Sequence, residues 1–490
     1  MKNKKRVLII GGGLGGIATA IGLAKSNFEI IIVEKNSNLG GKMNVLEKDG
    51  FKFDTGPSLI TLPSVFEELY KCLGEDLNNH IELIKVNPLF KYMFDSGEEL
   101  LYSSDLSELE KLFNDNEKTG NKKFYNFISQ SSKLFRLSEK TFFKKELFST
   151  PKFTDLMFFF KSPFKLFFQN YGKLIDDTFK NKNLRKIFNR YPTYVGSSPY
   201  KSSSILSIIP FMELSFGAWY IKGGLYKLIE SLENLMISNN IEIKKNKKVT
   251  SINHEDGKIK SVTLNDGEKI QTEIIVSNVD PLITKSMLDK KYEILNKNLS
   301  MSGLVFLVGI NKKIPELLHH NVIFSDDYKK EFQEIFDYGK FPSDPTVYIN
   351  CPTKTDPSLA PNNSESIFLM CNSPSTKENW NEDLIRKSLV KVRNSLAKHN
   401  LEKIIDDAKF IESITPNDIE KKFAAPFGSI YGKVSHGIKG TVFRHPNKDR
   451  SIKGLYYVGG GVHPGGGTPT VIMSGNIVSK KILNDYENKL

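Results

Sequence analysis

The chain has 490 residues, of which 39% are hydrophobic and 26% are charged. Since a domain usually takes roughly 100–200 residues, this length predicts two to four domains, and the composition excludes a disordered or fibrous chain. The formal charge of +13 comes from 61 lysines and only 8 arginines. Arginine is the bidentate reader of bases and phosphates, so its scarcity argues against nucleic acid as a partner. The lysine excess predicts a solvated basic surface or, alternatively, attraction to an anionic membrane surface.

The cysteines and the apolar runs limit the compartment and the topology. Cys72, Cys351 and Cys371 are far apart and have no C-x-x-C spacing, which argues against a disulfide framework or a zinc site and favours a reducing compartment. The basic N-terminus is followed by only four apolar residues, 7–10, too few for a signal peptide. No run of about 18 apolar residues occurs, so no membrane-spanning helix is expected.

The first strong motif is a glycine-rich turn between a strand and a helix. Residues 7–10 have the pattern of a buried strand, residues 11–16 have the spacing G-x-G-x-x-G, and residues 17–24 continue as an apolar helix. A second strand is predicted over residues 29–33 and is followed directly by Glu34. Such glycines allow a tight turn, close approach of backbone amides to a pyrophosphate, and close packing of helix on strand. The helix dipole then faces the phosphates and the acid accepts from the ribose, so the pattern predicts a dinucleotide site.

The segment after the second strand indicates which dinucleotide is bound. Residues 38–43 read Asn-Leu-Gly-Gly-Lys-Met, and residues 51–58 read Phe-Lys-Phe-Asp-Thr-Gly-Pro-Ser. With these motifs the chain resembles the flavin-dependent amine oxidase and carotenoid desaturase superfamily, in which a Gly-Gly followed by a basic residue lies against the FAD. The Asp-x-Gly-Pro-Ser element narrows the resemblance to the carotene desaturases of the bacterial phytoene desaturase type.

A second glycine cluster, near the C-terminus, is the most specific part of the resemblance. Residues 455–458 predict a buried strand, and six of the nine residues 459–467 are glycine. The pattern Val-Gly-Gly-Gly-x-His-Pro-Gly-Gly-Gly-x-Pro is similar to the signature of the carotene desaturases, where the following helix meets the flavin ring near N1 and O2. A helical pattern over residues 470–483 predicts that helix here, and its positive end suits the charge of a reduced flavin.

The resemblance implies FAD as the cofactor and assigns its binding to residues along these motifs. They are Gly11, Gly13, Leu14, Gly15, Gly16, Glu34, Lys35, Gly40, Gly41, Lys42, Met43, Pro57, Ser58, Val249, Gly459, Gly460, Gly467, Thr468, Pro469, Thr470 and Val471. Val249 is included because the matching position in the family offers its backbone to the adenine. Residues 217–226 and 274–280 match further family segments, whereas His445 stands where the family often has the proline of Phe-Arg-Pro.

Histidines are candidates for catalysis or metal binding. For His463, in the C-terminal glycine cluster, a role in shaping the loop is favoured over a catalytic one, because no titratable partner is predicted. His319 and His320 are predicted in a polar turn with no third ligand at a metal-binding spacing, so no metal site is predicted. No catalytic residue is assigned, because the resemblance implies that flavin N5 accepts the hydride.

The middle of the chain is rich in phenylalanine. From Thr141 to Arg190 there are 12 Phe, against 34 in the whole chain, together with 11 Lys or Arg and 4 acids. The most concentrated part contains Phe158, Phe159, Phe160, Lys161, Phe164, Lys165, Phe167, Phe168 and Lys173. Two compatible interpretations stay open: helices in a membrane interface, or a lid whose rings line the protein's own core. We expect a cytoplasmic protein, peripherally associated with the cytoplasmic membrane.

These features together predict an FAD-dependent desaturase that introduces conjugated double bonds into a C40 or C30 isoprenoid hydrocarbon, of the phytoene or dehydrosqualene type, in carotenoid biosynthesis. Such a substrate has no polar group, so its binding must come from apolar burial, at about 25 cal/mol per Å². An electron acceptor such as quinone or oxygen is expected. The alternatives are a carotenoid isomerase, a hydroxycarotenoid desaturase or terminal oxidase acting on later carotenoids, and, more remotely, a non-catalytic prenyl-lipid binding protein.

The predicted architecture is α/β, with a discontinuous, Rossmann-like FAD-binding domain, a mixed-sheet substrate domain and a helical lid insertion. The FAD-binding domain is predicted over residues 1–75, 215–295 and 440–490. The substrate domain is predicted over residues 76–214 and 296–439, with the Phe-rich, membrane-facing insertion at about 96–205.

Overall fold

Two β-sheets organise the chain, and each is assembled from strands that are distant in sequence. The structure, a computed structural model, describes residues 4–146, 165–376 and 378–487. Helices and strands occur in both halves of the chain, so the predicted mixed α/β fold is confirmed.

The first sheet is parallel and has the strand order β19-β13-β1-β2-β9. Its strands are β1 Lys5–Ile10, β2 Phe28–Val33, β9 Glu242–Lys244, β13 Ile274–Ser277 and β19 Leu455–Tyr457. All five lie within the three segments predicted for the FAD-binding domain. Since the strands run parallel, their carboxyl ends meet at one edge, where ligands of open α/β sheets bind.

The parallel sheet is buried on both faces, which explains why its strands are continuously apolar. Val7 and Ile9 belong to the same apolar cluster as the first helix, Leu14–Leu23. Leu8 and Ile10 face the other way and belong to the cluster of a three-stranded antiparallel sheet. The strands of that sheet are β10 Val249–Glu255, β11 Lys258–Leu264 and β12 Lys269–Gln271.

The first helix also packs closely against the C-terminal helix, Thr468–Tyr486. A Cβ atom at Gly475 would lie 2.6 Å from Ala18 Cβ and 2.7 Å from Gly15 O, so only glycine permits this approach. The contact aligns the two helices whose N-termini follow the two glycine clusters. Both helix ends therefore point toward the same edge of the parallel sheet.

The second sheet has seven strands in the order β18-β14-β17-β16-β15-β6-β7, and the one parallel pairing recorded in it joins β15 to β6. Its strands are β6 Phe90–Met93, β7 Glu99–Tyr102, β14 Ser302–Ile310, β15 His320–Ile323, β16 Val347–Asn350, β17 Glu365–Ser373 and β18 Ala408–Ile414. All seven lie within the two segments predicted for the substrate domain. Two antiparallel pairs complete the strands: the hairpin of β3 Val45–Lys48 with β4 Phe51–Asp54, and β5 Leu83–Lys85 with the distant β8 Trp219–Ile221.

A group of helices covers the cavity side of the second sheet. They are Leu106–Asn116, Gly120–Thr141, Lys165–Phe168, Tyr171–Thr178, Lys182–Asn189 and Ile208–Phe216. The prediction that this insertion starts near residue 96 is wrong at its edge, because β7 occupies residues 99–102 and pairs with β6. The remaining α-helices of the described residues are Pro63–Leu73, Lys227–Ser238, Pro281–Leu288, Tyr328–Phe336, Glu382–Ala397, Lys403–Asp406, Pro416–Phe423 and Gly437–Val442.

The phenylalanine-rich stretch is described only in part. Phe158–Phe160, Lys161 and Phe164, as well as the side chains of Lys165 and Phe167, lie outside the described residues. Phe143, Phe179 and Phe188 are buried in the protein's own apolar clusters, whereas Phe168 is 70% exposed and Lys173 is exposed. Among the residues that the structure describes, no helix is both long and apolar enough to cross a membrane.

Candidate functional site

One cavity of about 1430 Å³ connects the parallel sheet with the seven-stranded sheet. It is larger than the roughly 300–1,000 Å³ of ordinary small-molecule sites. Gly11, Glu34 and Gly459 line it on the side of the parallel sheet. Phe90 and Tyr348 line it on the side of the seven-stranded sheet. The cavity therefore has room for a dinucleotide and for a second long ligand.

The predicted dinucleotide turn is held by backbone hydrogen bonds and by Glu34. Gly11 N donates to Val33 O at 2.8 Å, and Gly40 N donates to Gly12 O at 2.7 Å. The Glu34 carboxylate, 5% exposed, accepts from Gly12 N at 2.8 Å and from Asn36 N at 2.9 Å. Glu34 Oε1 also accepts from Asn36 Nδ2 at 2.8 Å, whereas among the described residues Oε2 accepts only from Gly12 N and keeps a second lone pair for a ribose hydroxyl.

Nineteen of the twenty-one residues predicted to bind FAD line this cavity. They are Gly11, Gly13, Leu14, Glu34, Lys35, Gly40, Gly41, Lys42, Met43, Pro57, Ser58, Val249, Gly459, Gly460, Gly467, Thr468, Pro469, Thr470 and Val471. Two strand ends, the first helix and the C-terminal loop thus bring residues more than 400 positions apart to one site. The Ser58 hydroxyl is already engaged, because it lies 2.6 Å from the Tyr348 hydroxyl of β16.

Gly15 and Gly16 do not line the cavity, and the structure shows them in close packing, so their assignment as cofactor contacts stays a prediction. A Cβ at Gly16 would lie 2.5 Å from Gly11 O and 3.1 Å from Ile9 Cγ2, as expected for helix packing on strand. A Cβ at Gly15 would lie 2.8 Å from Asn278 Oδ1 and 3.0 Å from Gly459 N. Both glycines shape the turn without facing the ligand space.

Asn278 is a residue of the site that the sequence analysis missed. Its Nδ2 donates to Gly11 O at 3.2 Å, and its side chain also contacts the positions of Gly13 and Gly15. Gly459 has φ +110°, and a Cβ there would lie 2.9 Å from Asn278 Oδ1. Asn278 therefore joins the N-terminal turn to the C-terminal loop. The signal was the segment Ser-Asn-Val-Asp over residues 277–280, which was matched to the family without assigning the asparagine a role.

A buried cluster of three charged residues borders the C-terminal loop. Lys42 Nζ donates to Ile430 O, and Arg444 donates to Gly460 O at 2.8 Å. Burial lowers the pKa of Lys42 to about 8 and that of Arg444 to about 10, and the negative charge of Asp280 partly offsets both shifts. Burial likewise raises the pKa of the Asp280 carboxyl. Two cations face one carboxylate, so the cluster is complementary to an anionic group.

Neither of the two C-terminal histidines, His463 and His445, is among the residues that line the cavity. His463 does not line the cavity; its ring lies 4.4 Å from the Phe142 ring and its Nε2 is 2.9 Å from Lys145 O. Burial lowers its pKa to about 4, so the imidazole is neutral at pH 7, and Nε2 donates to that carbonyl. This geometry favours the predicted loop-shaping role. His445, the departure from the family pattern, packs its ring 4.4 Å from Tyr457 and does not line the cavity.

His319 and His320 do not lie in a polar turn, and that expectation is wrong. His320 begins β15, and both side chains are buried. The neighbouring strands β6 and β16 enclose the pair, and burial lowers the pKa of His319 to about 3 and that of His320 well below its usual value. Within residues 4–146, 165–376 and 378–487, no group of three or more His, Cys, Asp or Glu side chains could hold a metal ion.

The rest of the cavity wall is mainly apolar and comes from the helical insertion and the seven-stranded sheet. Its apolar residues include Leu134, Leu137, Phe142, Phe143, Ile205, Leu206, Ile208, Ile209, Met212, Val305, Val322, Phe368 and Met370. A wall of this kind gains free energy by burying hydrocarbon, at about 25 cal/mol per Å². The cavity thus combines a polar, glycine-lined half that fits FAD with an apolar half that fits a long hydrocarbon chain.

Comparisons with known proteins agree with this arrangement. Residues 14–352 match the family described as flavin containing amine oxidoreductase. The chain is 34% identical to a 1-hydroxycarotenoid 3,4-desaturase of Flavobacterium sp., over 98% of this chain and 99% of that one. It is 32% identical to a 4,4'-diapolycopene oxygenase of Methylomonas sp., over 99% of both chains. It is 28% identical to a zeta-carotene-forming phytoene desaturase of Myxococcus xanthus, over 98% of this chain and 94% of that one.

Solved structures show the same fold at low sequence identity. A putrescine oxidase variant superposes with a TM-score of 0.66 at 11% identity, covering 98% of this chain and 99% of that one. An oxidoreductase from Methanosarcina mazei superposes with a TM-score of 0.62 at 15% identity, covering 97% of this chain and all of that one.

Glu34→Gln is expected to weaken FAD binding by about 10- to 100-fold, because a hydrogen bond to a charged acceptor contributes about 1.5–3 kcal/mol. The measurement is the dissociation constant of FAD, from flavin fluorescence during titration of the flavin-free protein. Glu29→Gln is the matched control, since Glu29 lies on the same strand and pairs with Arg6 at a half-exposed surface. Equal affinities of the two variants would contradict the role of Glu34.

Lys42→Met is expected to change how stability depends on pH. The folded-state pKa of Lys42 is about 8, below the ordinary lysine value of 10.5, because the ammonium group is buried. Between these values the unfolded chain binds the proton and the folded chain does not, so stability rises with pH by up to about 1.4 kcal/mol per unit. Urea unfolding of the flavin-free protein from pH 7 to 10.5 measures this rise.

The Lys42→Met variant should lose the rise, whereas the exposed control Lys71→Met should keep it. If the free energy of unfolding of Lys42→Met rises with pH as steeply as that of the unsubstituted protein, the buried ammonium group of Lys42 is not the cause of the rise.

Proposed function

Because the chain belongs to the flavin containing amine oxidoreductase family, on the branch of the carotenoid desaturases, and is an FAD-dependent oxidoreductase, we propose that it dehydrogenates a C30 or C40 isoprenoid of the carotenoid pathway. The observation that carries the proposal is the apolar half of the cavity, which continues directly from the FAD-binding half. The printed activities of the relatives, which include desaturases and oxygenases of carotenoids, support the same substrate class. Dehydrogenation converts a carbon–carbon single bond into a double bond with loss of a hydride and a proton.

The protein's own residues supply positioning, exclusion of water and charge. The helices Gly120–Thr141 and Ile208–Phe216 and the strands β14 and β17 contribute apolar side chains that hold the chain and keep water out. When bound, FAD supplies the acceptor for the hydride at flavin N5. Lys42 and Arg444 place an excess of positive charge beside the C-terminal glycine loop, where it stabilises negative charge.

The substrate is insoluble in water, so we also propose peripheral attachment of the protein to the cytoplasmic membrane. Phe168 is 70% exposed and Phe216 is 38% exposed, and both lie in the helical insertion that lines the cavity. Rings at such positions suit the boundary between headgroups and acyl chains, and the overall charge of +13 suits anionic lipids. A membrane quinone or oxygen then serves as the electron acceptor.

The proposed dehydrogenation is tested in cells that accumulate phytoene or, separately, dehydrosqualene. Expression of the chain is expected to give pigments with new visible absorption bands and a mass lower by two hydrogens for each new double bond. Gly13→Val is the flavin-deficient control, because a Cβ there would lie 2.6 Å from Asn278 Nδ2. Unchanged mass with altered absorption would instead indicate isomerisation, and colourless extracts from both strains would contradict desaturation of these two hydrocarbons.

Membrane attachment is tested by flotation of the protein with vesicles that contain anionic phospholipid. Phe168→Ser is expected to reduce the floating fraction several-fold, because it removes a ring from the lipid boundary. Ile237→Ser is the matched control, since Ile237 is 57% exposed on a helix that packs on the FAD-binding half. Equal flotation of the two variants would show that the helical insertion is not the attachment surface.

A further inference from the structure

A charged network is built into the wall of the otherwise apolar cavity. Arg190 and Glu213 both line the cavity, yet Arg190 is only 7% exposed and Glu213 is fully buried. Burying such groups costs free energy unless they are paired and hydrogen-bonded. A cavity for a pure hydrocarbon gains nothing from this cost, so the network needs an explanation of its own.

The contacts of the network are specific. Arg190 Nη2 donates to the Tyr194 hydroxyl at 2.6 Å and to the Tyr92 hydroxyl at 3.2 Å. The Tyr194 hydroxyl donates to Glu213 Oε2 at 2.8 Å, and the Tyr191 hydroxyl donates to Glu213 Oε1 at 2.7 Å. Both carboxylate oxygens are therefore satisfied within the network.

The guanidinium is not satisfied. Arg190 Nε is buried with no partner, and among the described residues none accepts a hydrogen bond from Nη1. The guanidinium carbon lies over the Phe90 ring, 4.2 Å from its centroid, in a cation–π contact that helps to hold the group in place. A hydrocarbon filling the cavity would seal Nη1 from water without giving it an acceptor, and an unsatisfied charged donor of this kind is costly.

The network lies in the substrate half of the cavity. Its members come from β6, from the turn of 3-10 helix Tyr191–Val195 and from the helix Ile208–Phe216. None of these elements belongs to the parallel sheet or to the glycine clusters. The unused donor therefore belongs to the half of the cavity that lies away from the glycine clusters.

We propose that Arg190 and Tyr194 bind an oxygen atom at the end of the isoprenoid, so that the preferred substrate is a long apolar chain that already carries a hydroxyl or carbonyl group. This inference rests on the proposed function and specifies its substrate class. A hydroxyl accepts from Arg190 Nη1 and donates to the free lone pair of the Tyr194 oxygen. Because Glu213 already balances the charge of Arg190, the site suits a neutral oxygen and not a carboxylate. A reaction that adds oxygen to the chain end, by hydration or oxygenation, must then supply the substrate.

The test compares two substrates of equal chain length, an acyclic carotene and its derivative with one terminal hydroxyl, offered in liposomes to the flavin-loaded enzyme. The unsubstituted enzyme is expected to show at least about tenfold higher kcat/KM for the hydroxylated substrate. Arg190→Met, which keeps the length of the side chain, should lower that value about 10- to 100-fold and lower the value for the carotene much less. Tyr194→Phe should act in the same direction by about 3- to 10-fold, and it carries the test where Arg190→Met fails to fold.

Arg185→Met is the control, because Arg185 lies on the neighbouring helix, pairs with Asp176 at the surface and does not line the cavity. It should leave the ratio of the two kcat/KM values unchanged. An equal loss for both substrates in Arg190→Met, with flavin content preserved, overturns the inference and leaves the proposed function intact. A higher kcat/KM of the unsubstituted enzyme for the carotene than for the hydroxylated substrate also overturns the inference and leaves the proposed function intact.

If the enzyme turns over neither of the two substrates, the proposed function is overturned for these compounds. Direct binding then decides the inference, through the dissociation constants of the two ligands measured by quenching of protein fluorescence. Equal constants, or constants that Arg190→Met changes equally, overturn it. Tighter binding of the hydroxylated ligand that is lost in Arg190→Met supports it.

Discussion

The site depends on the packing of backbone turns around the Asn278 side chain. Asn278 follows β13, which lies between β1 and β19, so the turns after these three parallel strands meet at one edge. Its amide donates to Gly11 O, and its oxygen is positioned where Gly15 and Gly459 lack a Cβ. Any larger residue at these positions would separate the N-terminal turn from the C-terminal loop. The cofactor site at this edge of the sheet therefore requires the ends of all three strands, β1, β13 and β19, together.

The same constraint explains the close approach of the two long helices. Once the turns meet, the helices that follow them must run side by side, and Gly475 permits this against Ala18 and the carbonyl of Gly15. His463 extends the connection outward, because it joins the C-terminal loop to Phe142 and Lys145 at the end of the helix Gly120–Thr141. The glycine loop is thus fixed on one side to the parallel sheet and on the other to the helical insertion.

Sequence patterns were sufficient where the determining contacts are local. The strand, the turn and the acid at Glu34 all lie within one short unit, so their spacing was enough to predict the dinucleotide turn, whereas Asn278 and Asp280 of the same cavity wall were not predicted. The packing role of Gly15 was not predicted, because Asn278, which a Cβ at Gly15 would meet, lies more than 260 positions away in the chain. His319 and His320 looked polar in sequence, but β6, from which they are separated by over 200 residues, pairs with β15 and buries them.

The Arg190 network escaped sequence analysis for a related reason. Arg190 ends a stretch with many lysines, where a basic residue reads as solvated, and Glu213 interrupts an apolar helix without any indication of its partner. Only the tertiary structure shows that the Tyr194 hydroxyl joins them inside the cavity wall. Pattern predicts which faces are buried, but it does not predict which polar groups are buried together.

The two buried charge clusters differ in balance, and this difference separates their functions. Lys42 and Arg444 are two cations beside the single carboxylate of Asp280. Burial lowers the pKa of both bases, which means that it disfavours their charged forms. A negative charge placed beside the two cations stabilises their charged forms, so the cluster suits a cofactor that becomes anionic on reduction. Arg190 and Glu213 compensate each other, so a second charge there would be opposed, while a neutral oxygen completes the hydrogen bonds. The two ends of the cavity thus have different roles: one stabilises the negative charge of the reduced cofactor, and the other recognises the substrate.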